Sequence, residues 1–391
     1  MSAKSHLNIV WDNQSYPLEF DSSAVGYHWK GPKALTDHEL RTKVQEIVHG
    51  AIGRSQIAAS QLLVGDDRVA IPVHGDSSLI LPLLNALIEE LQIAGVKAEG
   101  FVILCDASEL DAIKASIKPN IQVTAHNPTA IEERAYLAST QAGSRIYLNR
   151  HMLDTDVIIP LIAAEPHGEG PRKGYMQGLW PNFSDSETRI QLAEKFRKNR
   201  KQVLKEIQEV LWLGGFHLAV AVIPASGGVA SLISERPGDI QKRVYPAVNT
   251  LWNCNAEESE ADRLILSALG DSHSGIDIKS LSQVIKSAAN FEHFKQVVLN
   301  LWIDANTLEA LEGFVRGTPA SPDNHLISCL KKLADIAVNQ KVYILSNIPE
   351  ELTDELNLIH LDSPKELGNL VNRSSAQWLI IENANRVRFI S

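Results

Sequence analysis

The chain predicts an α/β fold in two domains, each built from βαβ units on a parallel sheet. Short runs of β-branched residues alternate with segments of helical periodicity along the 391 residues. These runs end at turn residues, which is typical of strands buried on both faces of a parallel sheet. The alternation is interrupted by a polar stretch at 253–262, so we predict an N-terminal domain at 1–260 and a C-terminal domain at 261–391.

The N-terminal domain opens with a predicted hairpin at 6–20, where apolar and polar residues alternate around a turn at Asp12. Thr36 and Glu39 form a capping-box pattern, which predicts a helix at 35–51. The remaining predictions for this domain are strands at 69–73, 100–105, 121–123, 146–148, 157–164 and 219–223, helices at 79–94, 109–116, 240–251 and 184–210 (one long helix capped by Ser186), and a hairpin at 227–234.

The C-terminal domain repeats the alternation of strands and helices. The predicted strands are 297–301, 341–345, 359–361, 378–381 and 386–390, and the predicted helices are 278–289, 308–315, 327–338 and 364–371. Strand–helix–strand spacing of this kind predicts right-handed crossovers on a parallel sheet.

Composition and charge exclude several classes of function. The net charge is −10 and no basic run is long enough to track a phosphate backbone, so nucleic acid is not expected as a main partner. No apolar run reaches the roughly 18 residues that a membrane span needs, and residues 1–10 contain no apolar signal segment. Cys105, Cys254 and Cys329 are scattered, which predicts no zinc site and fits a reducing compartment; we expect the protein in the cytoplasm.

A loop rich in glycine and proline follows the predicted strand at 157–164 and carries His167. Open α/β sheets bind ligands beyond the carboxyl ends of their strands, and long loops without regular structure are often functional. The sequence therefore predicts a ligand-binding or active site around His167, with a surface loop that holds a solvent-facing histidine as the alternative.

Three local patterns resemble one known family. His167, preceded by a proline, ends a strand in the same way as the family's Pro-His pair, and the segment around His126 resembles its Asn-His-Asp segment. Asp277, Gln283 and Lys286 resemble its Asp…Gln-x-x-Lys pattern, and the last two share a helix face because they are three residues apart. These patterns and the order of elements resemble the nickel-dependent lactate racemases over most of the chain.

The resemblance implies a lactate-racemase-like fold of two α/β domains with the site in the interdomain cleft. It also implies a nicotinate-derived pincer nucleotide that holds nickel, and hydride transfer from a 2-hydroxy acid to that cofactor and back. In this scheme His167 and His126 exchange the hydroxyl proton as acid and base, and Gln283 and Lys286 orient the anionic substrate.

The chain departs from the family at four positions. Ser78 stands where the family has an arginine that holds the substrate carboxylate, and residues 106–110 lack the family's second catalytic histidine. The lysine that tethers the cofactor aligns with Gln177, and Lys173 is the nearby lysine that could replace it. No histidine occurs in 182–216 to serve as the nickel ligand, so we name no metal ligand.

Two functions follow from these observations. The first is an isomerase, a divergent lactate-racemase relative that racemises or epimerises a small 2-hydroxy acid. The second is a catalytically lapsed relative that binds a small anionic ligand or a protein partner in the same cleft. A second base and a metal ligand gathered around His167 would distinguish the first from the second.

Overall fold

The computed structural model describes residues 4–12, 14–50, 57–75, 77–164, 179–255, 260–268, 275–290, 293–316, 324–373 and 377–389. The chain forms two compact units. Unit 1 comprises Met1–Pro32 and Asn249–Ser391, and unit 2 comprises Lys33–Val248. No helix within the described ranges is long and apolar enough to cross a lipid bilayer.

Unit 1 begins with an antiparallel hairpin, which confirms the prediction at 6–20. Its strands are β1 (Lys4–Trp11) and β2 (Gln14–Asp21), and strand β3 (Val25–Trp29) follows. Alternate hairpin residues, among them Leu7, Ile9 and Phe20, are fully or almost fully buried and belong to the core of this unit. The hairpin is therefore part of the folded core, since its period-2 pattern presents one apolar face to it.

Unit 2 is an α/β domain. Its elements in chain order are α1 (Asp37–His49), β4 (Val69–His74), α2 (Ser77–Ile93), β5 (Phe101–Cys105), α3 (Leu110–Ser116), β6 (Gln122–Ala125), β7 (Arg134–Ser139), β8 (Arg145–Asn149), α4 (Arg150–Leu153), β9 (Val157–Ile158), β10 (Leu161–Ala163), α5 (Ser186–Lys198), α6 (Arg200–Leu213), β11 (Ala219–Ala225), β12 (Gly228–Glu235) and α7 (Ile240–Leu251), whose last residues belong to unit 1.

The main sheet of unit 2 has the strand order β12-β11-β10-β4-β5-β6, with β9 also paired to β4. Its strands run parallel except for β12, which forms the predicted hairpin with β11. One face packs Ile71 and Ile103 against Leu84 of α2, and Leu104 on the other face packs with Ile207 of α6. Helices on both faces explain why these strands are apolar on both sides.

Three local predictions for unit 2 were wrong. The strand at 146–148 does not join the parallel sheet; it lies in β8, which pairs antiparallel with β7. The single helix at 184–210 is two helices, because Asn199 leaves the helical conformation and accepts a hydrogen bond from the Gln202 amide to begin α6. The cap of α5 is Asp185, which accepts from the Thr188 amide, rather than Ser186.

The rest of unit 1 is a second α/β domain. Its elements are β13 (Asn253–Cys254), β14 (Arg263–Ala268), α8 (Ile278–Ala289), β15 (Gln296–Leu301), α9 (Ala305–Val315), α10 (Asn324–Asn339), β16 (Lys341–Ser346), α11 (Glu350–Glu355), β17 (Ile359–His360), α12 (Pro364–Asn372), β18 (Trp378–Glu382) and β19 (Arg388–Phe389). Six strands form a parallel sheet in the order β17-β16-β15-β14-β18-β3.

The two units differ from the predicted division into 1–260 and 261–391. Residues 1–32 pack with the C-terminal part of the chain, because β3 pairs with β18 and the β1–β2 hairpin covers the same core. The boundary also lies at 248/249, within α7 and before the polar stretch that indicated it. Pairing between strands so distant in sequence leaves no local pattern, so a division drawn from composition misses it.

Candidate functional site

The carboxyl edge of the parallel sheet in unit 2 gathers polar side chains from neighbouring strands. The chain leaves β4 for β5 on one side, whereas β10 pairs with β4 on the other. A reversal of strand order of this kind opens a crevice where α/β sheets bind ligands. His74 ends β4, Asp106 follows β5 and His126 follows β6, so all three side chains belong to this edge.

His74 and Asp106 form a hydrogen-bonded pair at the end of adjacent strands. His74 Nδ1 lies 3.2 Å from Asp106 Oδ2, and the side chains keep 33% and 40% of their surface exposed. The hydrogen bond from His74 lowers the pKa of Asp106, with the charges of His74 and Arg189 acting in the same direction. An ionised carboxylate only accepts, so the Nδ1 proton of His74 is fixed and Nε2 is the nitrogen left for proton transfer.

Arg189 supplies positive charge next to this pair. It lies in the first turn of α5, and its guanidinium donates a hydrogen bond to the Asn182 carbonyl. Burial lowers the pKa of Arg189, while the carboxylates of Asp106 and Asp185 favour its charged form. Its Nε atom is buried and has no hydrogen-bond partner among the described residues. Arg189 therefore has a donor left to give to an anion.

Gly75 sets the path of the chain out of β4. Its φ is +117°, a region in which side chains are strained. A Cβ atom at this position would lie 2.3 Å from the Cβ atom of Ala163 in β10. The glycine therefore allows the turn after His74 to lie directly against the neighbouring strand, which fixes His74 at the edge of the sheet.

His126 is held by the protein on both ring nitrogens. Nε2 lies 2.9 Å from the Ser184 carbonyl oxygen, and Nδ1 lies 3.1 Å from the side-chain amide of Asn149. The ring is buried and packs edge-on against Phe183, and this burial lowers the pKa of His126. The imidazole is thus neutral, with Nε2 as donor and Nδ1 as acceptor. These contacts favour a structural role over the proton-transfer role that the resemblance implies.

Gln283 and Lys286 lie on one face of α8, as their spacing predicts. Gln283 is partly buried and Lys286 is exposed. Asp277 caps this helix by accepting a hydrogen bond from the Ser280 amide, which gives the first residue of the pattern a structural reason to be there. Both candidate substrate-binding residues belong to unit 1, whereas His74 and His126 belong to unit 2.

Three of the predicted site residues, His167, Lys173 and Gln177, lie outside the described residues, as does the loop 165–178 that contains them. The described ranges contain no group of three His, Cys, Asp or Glu side chains that could hold a metal ion. His217, the first histidine after 182–216, is exposed in the turn before β11. The described His, Cys, Asp and Glu side chains therefore do not fit the ligand set of a nickel pincer, and we assign no step of the chemistry to that cofactor.

Cys105 stands beside Asp106 but does not fit a nucleophile. Its side chain is fully buried, and burial raises the pKa of the thiol to about 11. The thiolate, which is the reactive form, is therefore scarce at neutral pH.

Sequence reasoning missed His74, Asp106 and Arg189 as site residues. The signal for the first two was their position, since each stands where a predicted parallel strand ends. The signal for Arg189 was a cation in the first turn of a helix, where the helix dipole favours an anion. Because the helix dipole disfavours a cation at this position, Arg189 indicates an anionic partner outside its own helix.

Comparison with solved structures confirms the lactate-racemase-like fold. The lactate racemase apoprotein from Thermoanaerobacterium thermosaccharolyticum matches 99% of this chain and 100% of its own, with a TM-score of 0.66 and 11% sequence identity. A protein from Thermotoga maritima matches 92% of this chain and 99% of its own, with a TM-score of 0.59 and 11% identity. No protein-family model matches the sequence. No curated protein matches it either.

Proposed function

We propose that the protein is an isomerase that racemises or epimerises a small 2-hydroxy acid at the carboxyl edge of the sheet in unit 2. The observation that carries the proposal is the His74–Asp106 pair, which is built from two adjacent strand ends on a lactate-racemase-like fold. A histidine oriented by a carboxylate is a common general acid and base, because the carboxylate fixes its tautomer.

In this proposal His74 removes the proton from the substrate Cα through Nε2, while Asp106 holds the ring by its Nδ1 proton. An acid on the other face of Cα then returns a proton, which gives the opposite enantiomer. Arg189 binds the substrate carboxylate. It has the role of the family arginine, whose position is occupied by Ser78 in this chain. Its unpartnered, buried Nε supports this role, because a planar guanidinium can give two parallel hydrogen bonds to a carboxylate.

The other residues implied by the resemblance keep their proposed roles, whereas His126 is proposed as a structural residue. His167 is proposed as the acid or base on the other face of the substrate, and its place in the sequence, four residues after the end of β10, supports this. Gln283 and Lys286 are proposed to orient the anionic group, and their shared face on α8 supports that role. Lys173 or Gln177 would contact a cofactor.

A second function, binding of a small anion without catalysis, is favoured by two observations. Both nitrogens of His126 are engaged by the protein, and the chain lacks the family's histidine at 106–110. Racemisation needs an acid or base on each face of the reacting carbon, so without His167 only His74 would remain. The Arg189 charge and the His74–Asp106 pair would then recognise an anion that carries a hydroxyl group.

Incubation of the purified protein with single enantiomers of lactate and malate tests both functions. Chiral chromatography follows formation of the opposite enantiomer, and calorimetry measures binding. We expect conversion to a mixture, and we expect His74→Gln to lower the rate about 100-fold or more because general acid–base catalysis contributes at least that factor. Asp106→Asn should lower the rate and shift its pH profile, and Arg189→Gln should raise KM.

The matched control is His38→Gln, an exposed histidine on α1 of the same unit, which should leave the rate unchanged. Binding without conversion would reject the isomerase and support the anion-binding protein. Absence of both binding and conversion for these acids would reject both functions. Conversion that persists in His74→Gln would reject His74 as the acid or base.

A further inference from the structure

Unit 1 contains a cavity of about 560 Å³ at the amino-terminal ends of β14 and β15, away from the strand ends at which α/β sheets usually bind ligands. Two arginines, a glutamine and one face of α12 line it: Arg263, Gln296, Glu366, Asn369, Leu370 and Arg373. This volume falls within the range of small-molecule sites, about 300–1,000 Å³.

The floor of the cavity holds two buried polar atoms without partners. Arg263 and Gln296 are paired residues that begin adjacent strands. Arg263 Nε and Gln296 Oε1 are both buried and make no hydrogen bond within the described part of the chain. Buried polar groups are nearly always hydrogen-bonded, and leaving one unpaired costs about 1–3 kcal/mol. A donor and an acceptor lie unpaired on the same floor.

Within the described ranges, no carboxylate forms a hydrogen bond with the Arg263 guanidinium. Its guanidinium lies over the ring of Trp378, 5.6 Å from the ring centre, and its side chain is 21% exposed. Asp262 forms an ion pair with Arg263, and its Oδ1 lies 3.8 Å from Nε, which is too far for a hydrogen bond. This Oδ1 is also buried without a hydrogen-bond partner among the described residues, and Oδ2 accepts from Lys295 at 3.1 Å. The tryptophan fixes the position of the guanidinium, so its donors are preorganised.

The face of α12 that lines the cavity carries a positive charge at one end and a negative charge at the other. Residues 366, 369, 370 and 373 share one helix face because of their spacing. Arg373 is exposed at the C-terminal end of the helix and lines the same cavity as Arg263. Glu366 stands two turns away, roughly 10 Å along the axis, and accepts a hydrogen bond from the Asp362 amide at 3.0 Å. The anionic end of a ligand is therefore directed to the arginines.

We propose that this cavity binds a small hydroxylated carboxylate, with the carboxylate on Arg263 and Arg373 and the hydroxyl group donating to Gln296. Arginine suits a carboxylate because its fork can form two parallel hydrogen bonds. The hydroxyl group satisfies the amide oxygen that otherwise stays unpaired. The site lies wholly within unit 1 and does not depend on the proposed isomerase in unit 2.

The test is a titration of the full-length protein, labelled with ¹⁵N-arginine, with malate and with succinate, which lacks the hydroxyl group. The Nε–H signal of Arg263 is read by NMR, so binding at any other site does not enter the measurement. We expect a saturable shift with malate and about tenfold weaker binding of succinate, since a site built to accept a hydroxyl group is left unpaired without it. Absence of a saturable shift with malate would overturn the proposal.

Two variants that keep the Arg263–Trp378 contact, together with one control variant, separate the roles. Arg373→Gln should weaken malate binding about tenfold, whereas Lys365→Gln, which removes the same charge from an exposed residue of α12 outside the cavity lining, should change it less than about twofold. Gln296→Leu should remove the preference for malate over succinate. Equal loss in the Arg373 and Lys365 variants would show that general attraction to positive charge, rather than the cavity, causes the binding.

Discussion

Replacement of His126 by phenylalanine separates a structural from a catalytic role for this residue. The ring volume and the contact with Phe183 are retained, whereas the hydrogen bonds to Ser184 and Asn149 are lost. Each buried group left unpaired costs about 1–3 kcal/mol. The side-chain amide of Asn149 still donates to Glu133 at 3.2 Å, so the cost of its lost bond to His126 is at the lower end of this range. We expect a total destabilisation of about 2–3 kcal/mol.

Hydrogen exchange of the peptides that contain Ser184 and Asn149 measures this loss locally. A destabilisation of 2–3 kcal/mol corresponds to exchange about 30-fold to 150-fold faster in these segments. The racemase assay on the same variant should show an unchanged rate at temperatures where the variant is folded. His38→Phe, a change at an exposed histidine of the same unit, is the control and should alter neither. Unchanged exchange together with a lost reaction would refute the structural role.

Three further changes test the surroundings. Gly75→Ala should destabilise unit 2 by about 2–4 kcal/mol in urea unfolding, and adding Ala163→Gly should recover the part due to the clash but not the part due to the positive φ. Because burial lowers the pKa of His126, the unfolded chain binds a proton that the folded protein resists, so stability should fall as the pH drops below 6.5, and His126→Phe should lose this part of the pH dependence of the unfolding midpoint. His28 Nε2 forms a 2.7 Å hydrogen bond with the buried carboxylate of Glu382, so His28→Ala should cost about 1.5–3 kcal/mol of unfolding free energy, and the further change Glu382→Gln should recover much of it.

Local patterns were sufficient for the elements whose signals are contained in a few residues. The capping box of Thr36 and Glu39 forms as predicted and begins α1 at Asp37. The end of α2 at Ile93, followed by Gly95 with φ of +112°, also follows from the sequence. These features depend on contacts within one turn, so no knowledge of the rest of the fold was needed.

The partners of a strand were harder to predict, because pairing depends on chain positions far apart. β3 carries no strong strand pattern, and its pairing with β18 joins Trp29 to Ile381. For the same reason the site was predicted only in part. His74 and Asp106 come together because β4 and β5 are neighbours, and Arg189 joins them from a helix that follows β10 by more than twenty residues. In the sequence alone, each of these three residues fits an ordinary structural or surface position.

The position of β3 has a consequence for the order in which the protein can fold during synthesis. Unit 2 is one continuous insertion between residues 32 and 249, so all of its strands have left the ribosome before the sheet of unit 1 can form. At usual rates of synthesis β3 then waits roughly 20 to 70 s for β18. During that time the first 32 residues present an apolar hairpin and an unpaired strand. Chaperones that protect emerging chains would therefore find this hairpin and strand exposed until β18 has been made.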